Sequence, residues 1–311
     1  MSGAYQYGHF PRGRRAHVVQ VGLGDNRTFL HDVAAIDRRQ TDKGIGWLVS
    51  ACTDGDICGV AVEPVWEHFE AAHQLAKENR LPNVALVQAA LGEHSGSTRI
   101  YRVQEPSRSQ LHHLKPEDRE DYNLQMSYLR NMSSVEAQSA HLKYFRERLE
   151  QKFGLQVPIV EDKVPFWTWS RLVYEIGFDG CELLIIDAEG FDVDILKSVA
   201  QHCQEQPYQF PWVIQFESNG LCNTRLGYDA ETYIVREFEK LGYLLVGKGR
   251  DTYLVLQWAI RNAPSIQKWL SSWRCYRCER TDCYPYSVHP EVMCQRCADW
   301  EWRNWNEPEK Q

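Results

Sequence analysis

The sequence contains no apolar run approaching the roughly 18 to 20 residues that cross a bilayer, and its opening Met1 to His9 carries no apolar signal core. No membrane partner is expected, and a cytoplasmic protein is. Positive charge is also in short supply: 35 Lys and Arg stand against 42 Asp and Glu, a formal net charge of -7. Bulk attraction to nucleic acid needs the opposite balance, so Arg12, Arg14 and Arg15 read as a solvated flank. Two phosphate-binding signatures are missing as well. The glycine turn Gly22-Leu23-Gly24-Asp25-Asn26 has Arg27 where a dinucleotide fingerprint places its third glycine, and no Gly-Lys-Ser or Gly-Lys-Thr occurs. What remains is ample for folding, since 311 residues with 43% hydrophobic content bury a real core.

Strand and helix signals alternate through most of the chain. Val18 to Val21 is a β-branched run that breaks at the glycine turn and yields to Phe29, Val33 and Ile36 at helical spacing. Trp47 to Ala51 continues the helical layer. Ile57 to Val62 reads as a strand ending at Glu63-Pro64, followed by a helix with Val65, Phe69, Ala72 and Ala76 on one face. Asn83 to Ala89 and Ser97 to Val103 are further strands, and this order predicts a parallel sheet with helices on both faces. Between residues 104 and about 156 strand signals vanish, while Leu142, Phe145, Leu149 and Phe153 repeat at helical intervals. That stretch is an inserted helical segment, either a lid or a plain surface excursion.

The sheet pattern resumes at Val157 to Val164, then a helix with Leu172, Val173 and Ile176, a strand at Leu183 to Ile186, and a helix at Asp194 to Val199. Trp212 to Phe216 is a strand, Ala230 to Leu241 a helix, and Tyr243 to Val246 pairs with Thr252 to Gln257 as a hairpin. A helix around Ser265 to Trp273 leads to a cysteine cluster. The division expected is a flank (1–15), an α/β domain (16–258) and a C-terminal helix with a small module (259–311).

Chemistry concentrates at Leu183 to Gly190, where a buried apolar run delivers Asp187 and Glu189 to a glycine. Strand ends of this kind hold the reactive groups of open α/β sheets. The competing reading is that both acids cap the helix beginning near Asp192. Gly22 and Gly24, between strand and helix, permit close backbone approach of a ligand. Glu63 ends the next strand, where a carboxylate accepts from ribose hydroxyls. A glycine turn with an acidic strand end and no pyrophosphate motif points to a nucleoside without phosphates, a description that S-adenosylmethionine fits. Asp187, Glu189 and Glu217 are candidate bases at one sheet edge, and paired carboxylates are equally able to hold a divalent metal.

Val19-Gln-Val-Gly-Leu-Gly-Asp-Asn26, Val60-Ala-Val-Glu-Pro-Val-Trp-Glu-His-Phe-Glu-Ala71 with Lys77-Glu78-Asn79, Ala89-Ala90-Leu91-Gly92 and Ile186-Asp-Ala-Glu-Gly190 together resemble the FkbM-type S-adenosylmethionine-dependent methyltransferases over about residues 16 to 258. The resemblance implies a seven-stranded Rossmann-like sheet and methyl transfer, usually to a hydroxyl. By motif position it assigns Gly22, Gly24, Asp25 and Asn26 to the methionine and ribose region, Glu63 and Pro64 to the ribose, Ala89 and Ala90 to the adenine edge, and Asp187 and Glu189 to the neighbourhood of the methyl. Gln20 stands where the family usually carries an acid, and Ile185 or Ile186 stands where a lysine is common. Losing the acid removes one anchor for the cationic methionine end, for which Asp25 is a substitute. The alternative is a weak or inactive methyltransferase-like scaffold.

Ten cysteines are present, and five fall between Cys275 and Cys297. The scattered five are expected as buried small hydrophobes. Cys275-x-x-Cys278 and Cys294-x-x-Cys297 are two knuckles separated by fifteen residues, the spacing of a four-cysteine structural zinc site. Cys283 and His289 lie between them and are read as outside the ligand set. Trp269, Trp273, Trp300, Trp302 and Trp305 crowd this module and either weld it to the preceding domain or offer a protein-docking surface. Charges from Arg261 onward nearly cancel, so nucleic acid is the lesser expectation.

Overall fold

The computed structural model describes residues 4, 6–24, 30, 57–79, 81, 83–104, 106, 111, 112, 114, 115, 118–123, 126, 133, 134, 140–155, 157–248 and 251–272. The readings placed on Phe29, on Val33 to Ala51, on Asp25 and Asn26, and on the cysteine and tryptophan cluster from Trp273 onward lie outside the described residues. In chain order the elements are β1 (Gln6–Tyr7), β2 (Ala16–Val21), β3 (Gly59–Val62), α1 (Trp66–Glu78), β4 (Val84–Val87), β5 (Ala90–Leu91), β6 (Gly96–Val103), β7 (Ser133–Ser134), α2 (Ala140–Phe153), β8 (Ile159–Trp167), α3 (Trp169–Ile176), β9 (Cys181–Ile186), α4 (Asp192–Glu205), β10 (Val213–Glu217), α5 (Leu221–Leu226), α6 (Ala230–Lys240), β11 (Tyr243–Lys248), β12 (Asp251–Leu256), α7 (Gln257–Asn262) and α8 (Pro264–Ser272).

The protein is mixed α/β, built on an eight-stranded sheet in the order β1-β4-β3-β2-β9-β10-β12-β11. β4, β3, β2, β9 and β10 run parallel, β12 runs antiparallel to them, and β11 runs antiparallel to β12. The continuous apolar runs follow from burial on both faces. On β9, Leu184 and Ile186 join one core, whereas Leu183 and Ile185 join the other. Helix α3 shows how local sequence sets the covering layer: Thr168 Oγ1 accepts from the Arg171 amide at its start, and Gly177 ends it with φ 83°. Four of the scattered cysteines, Cys58, Cys181, Cys203 and Cys222, are buried, and burial pushes the thiols of Cys203 and Cys222 up to about 12.

Two expectations need correction. Strands β6 and β8, read from the sequence as members of the parallel sheet, leave it. They pair antiparallel from Gly96↔Phe166 to Val103↔Ile159, and with β5 and β7 they form a second, four-stranded sheet. Local alternation specifies a strand but not its partner, and the stretch taken as free of strand contributes β7, which pairs Ser134 with Tyr101. The inserted segment also has its own core, with Leu114, Tyr122, Met126, Leu142 and Leu149 packed beneath Val103 and Val157.

The flank is the second correction. Gln6–Tyr7 pairs antiparallel with β4. Arg15 is not solvated like exposed Arg12 and Arg14. Its guanidinium donates to the carbonyls of Cys181 (2.9 Å), Phe210 (3.1 Å) and Tyr208 (2.8 Å) and lies 4.9 Å over the Trp212 ring. Among the described residues no helix is long and apolar enough to cross a membrane.

Candidate active site

Parallel strands deliver the ends of β2, β3, β4 and β9 to one edge of the sheet. There Gly22, Gly24, Glu63, Pro64, Ala89, Ala90, Asp187 and Glu189 line a single cleft enclosing about 640 Å³, open solvent at its mouth included. His68 from α1, Ile100 from β6, Ser133 from β7 and Phe191 complete the wall, so the second sheet closes one side of the cleft.

Gly22 is placed by a backbone crossing. Its φ is 81°, and a Cβ there would lie 1.8 Å from the Asp187 carbonyl oxygen. The glycine thus admits the β9 loop, a chain neighbour in space, where sequence reasoning expected it to admit a ligand. The amide of Gly22 donates to the Val62 carbonyl and that of Asp187 to the Val21 carbonyl, both at 2.9 Å. Gln20 is buried and donates from Nε2 to the Gly22 carbonyl at 3.0 Å.

Glu63 latches the same turn. Its Oε2 accepts from the amides of Leu23 (2.8 Å) and Gly24 (3.2 Å), and its Oε1 accepts from Val65 (2.8 Å). Burial drives its carboxyl above the ordinary value, while the positive field of His68 and these three amides pull the other way. A carboxylate offers about four acceptor positions, so one position on Oε1 remains for a further donor.

The acidic residues meet as a group. Asp187 is exposed, Glu189 half-buried and Glu217 buried, and one ligand atom from each lies within 4.8 Å of the others. Glu189 has φ 48° and Gly190 φ 92°, a left-handed pair costing about 1–3 kcal/mol at the non-glycine position. Arg225 of α5 holds that turn: Nε donates to the Gly190 carbonyl at 2.8 Å, Nη2 pairs with Asp194, and the guanidinium lies 4.1 Å over the Phe191 ring. Asp192, the first residue of α4, is 1% exposed. Its Oδ1 meets the Ala188 amide at 3.5 Å, and its Oδ2 is buried without a hydrogen-bond partner among the described residues. Burial raises its carboxyl well above the usual range, and the negative charges of Asp187 and Glu217 add to the rise.

Eight of the residues singled out in the sequence therefore share the cleft, and Glu217 joins its acidic rim from the end of β10. Asp25, Asn26, Cys275, Cys278, Cys294 and Cys297 lie outside the described residues. His68 and Asp192 were not singled out. His68 follows Glu63 by five residues and faces the cleft from α1's first turn; Asp192 carries the sequence signature of an exposed helix-start acid but is buried. Comparison with protein-family models and with curated proteins finds no match for the chain.

Proposed function

We propose that the protein is an S-adenosylmethionine-dependent methyltransferase of the FkbM type acting on a hydroxyl oxygen. One observation carries the reading: the glycine turn after β2, the acid ending β3, Ala89-Ala90 after β4 and the Asp187–Glu189 turn after β9 converge on one cleft. Setting aside the two-residue edge strand β1, the main sheet has seven strands with an antiparallel hairpin at one side, which supports the Rossmann-like methyltransferase arrangement that the reading needs.

The residues present fit the donor. Gly22 and Gly24 would border its methionine and ribose, the free position on Glu63 Oε1 would accept a ribose hydroxyl, and Ala89 with Ala90 would edge the adenine. Bound there, S-adenosylmethionine would supply an electrophilic methyl to an acceptor oxygen, with its thioether as the leaving group and the acceptor proton left for a base. The Asp187, Glu189 and Glu217 group lies at that edge, and Asp187, exposed to the cleft, is the first candidate to take the proton. A structural zinc on Cys275, Cys278, Cys294 and Cys297 is a separate part of the proposal.

Isothermal titration of the full chain with S-adenosylmethionine tests the reading. Saturable binding is expected, weakened in Glu63→Ala. Absence of binding by folded protein would sink it and favour a scaffold that docks on other proteins through its tryptophan-rich end. In methyl-transfer assays, normal turnover by Asp187→Asn would remove Asp187 as the base.

A further inference from the structure

We infer that Asp187, Glu189 and Glu217 bind a hard divalent cation of the magnesium, manganese or calcium class at the rim of the cleft, with Asp192 as the buried acid behind it. The inference needs no methyl donor and goes beyond methyl transfer. Ligand atoms from all three residues lie within 4.8 Å of one another. Two carboxylate oxygens on opposite sides of a cation at about 2.3–2.6 Å are separated by just that order of distance, so the group can close on an ion without moving the strands that carry it.

Three features add to this spacing. Asp192 ends in a buried Oδ2 with no hydrogen-bond partner among the described residues, and its Oδ1 points back at the Ala188 amide inside the ligand turn. A buried acid oxygen left without a partner is one that a nearby cation or its bound water would satisfy. The three ligands also grade from exposed Asp187 through half-buried Glu189 to buried Glu217, which gives an ion a path from solvent. Finally, the ligands come from two adjacent parallel strand ends, β9 and β10, and the Glu189 turn is braced by Arg225. An all-carboxylate donor set selects hard cations over zinc or copper. Since Asp187 and Glu189 line the cleft, an acceptor oxygen bound there could complete the shell, where the ion would acidify a hydroxyl.

Mn2+ titration of the full-length protein, with free ion counted by electron paramagnetic resonance and no methyl donor added, tests this. One saturable ion per chain is expected, binding at or below about 1 mM. Glu217→Gln and Asp187→Asn should each weaken it at least roughly tenfold, and Asp192→Asn about tenfold through loss of the supporting acid. Circular dichroism and melting accompany each variant, and Glu189→Gln, at a half-buried turn position, serves if Glu217→Gln fails to fold. Cys275→Ser/Cys278→Ser should leave Mn2+ binding intact. No saturable binding, affinities unchanged within about twofold in the carboxylate variants, or loss confined to the cysteine variant would each overturn the assignment.

Discussion

Replacing Gly22 by alanine should disturb two strand ends at once, and the structure supplies its own control. At Gly22 the added Cβ would sit 1.8 Å from the Asp187 carbonyl oxygen with φ at 81°. Gly13 has nearly the same φ, 73°, but a Cβ there meets nothing within 4 Å. Left-handed strain costs about 1–3 kcal/mol at either position. Only Gly22→Ala also forces β2 and β9 apart, adding roughly 1–3 kcal/mol of the kind seen when cores are overpacked. Gly22→Ala should therefore lose about 2–6 kcal/mol, a fall in Tm of roughly 5–15 °C, and Gly13→Ala only the strain component. Paired thermal melts read the difference, and titration with S-adenosylmethionine reports whether the cleft survives. Equal losses for the two variants would refute the argument that the Gly22–Asp187 contact is tight.

Glu182 gives a pH test. Burial raises its carboxyl to about 7, against the pull of Arg15. Because the folded value lies above the ordinary 4.5, its stability contribution is full below about 4.5 and is lost as pH rises through about 7. Glu182→Gln should accordingly melt increasingly above wild type from about pH 4.5 to about pH 7 and by a steady margin above that, and an offset that is constant across this window would count against the burial. Arg225→Lys keeps the charge but not the fork that holds Gly190 and Asp194; a loss of about 1–3 kcal/mol and faster amide exchange at residues 189–191 are expected, and unchanged exchange would show that the turn holds itself. Metal analysis should find about one zinc per chain, lost in Cys275→Ser/Cys278→Ser. A stoichiometry well below one in wild type would argue against the four-cysteine site.

Strand positions were legible because continuous apolar runs admit few other uses. Leu183 to Ile186 was expected as a strand buried on both faces, and its side chains divide between two cores. The meeting of Gly22, Glu63, Ala89 and Asp187 was likewise legible, since parallel strands send successive carboxyl ends to one edge. Partner choice was not. Ser97 to Val103 carried a clear strand pattern, yet nothing local said that it would pair with Ile159–Trp167 in a separate sheet. Nor could composition distinguish Arg15 from Arg14: three carbonyl acceptors, from Cys181, Tyr208 and Phe210, are supplied by chain far away. Asp192 was not singled out for the same reason. An acid at a helix start is ordinarily solvated, and only the packing of the neighbouring strand ends buries this one.

The position of β2 between β3 and β9 also sets an order of events during synthesis. β3 follows β2 closely, but the other edge of β2 waits for residues 181–186, and the Arg15 to Cys181 hydrogen bond spans a separation of 166 residues. At 5–20 residues per second, that edge stays open for roughly ten to thirty seconds while the residues between β2 and β9 are made. The cleft, where the Asp187 carbonyl meets Gly22, belongs only to a chain made past Ile195. Until then the nascent chain exposes an apolar β2 edge, the sort of surface that draws chaperones or a neighbouring nascent chain.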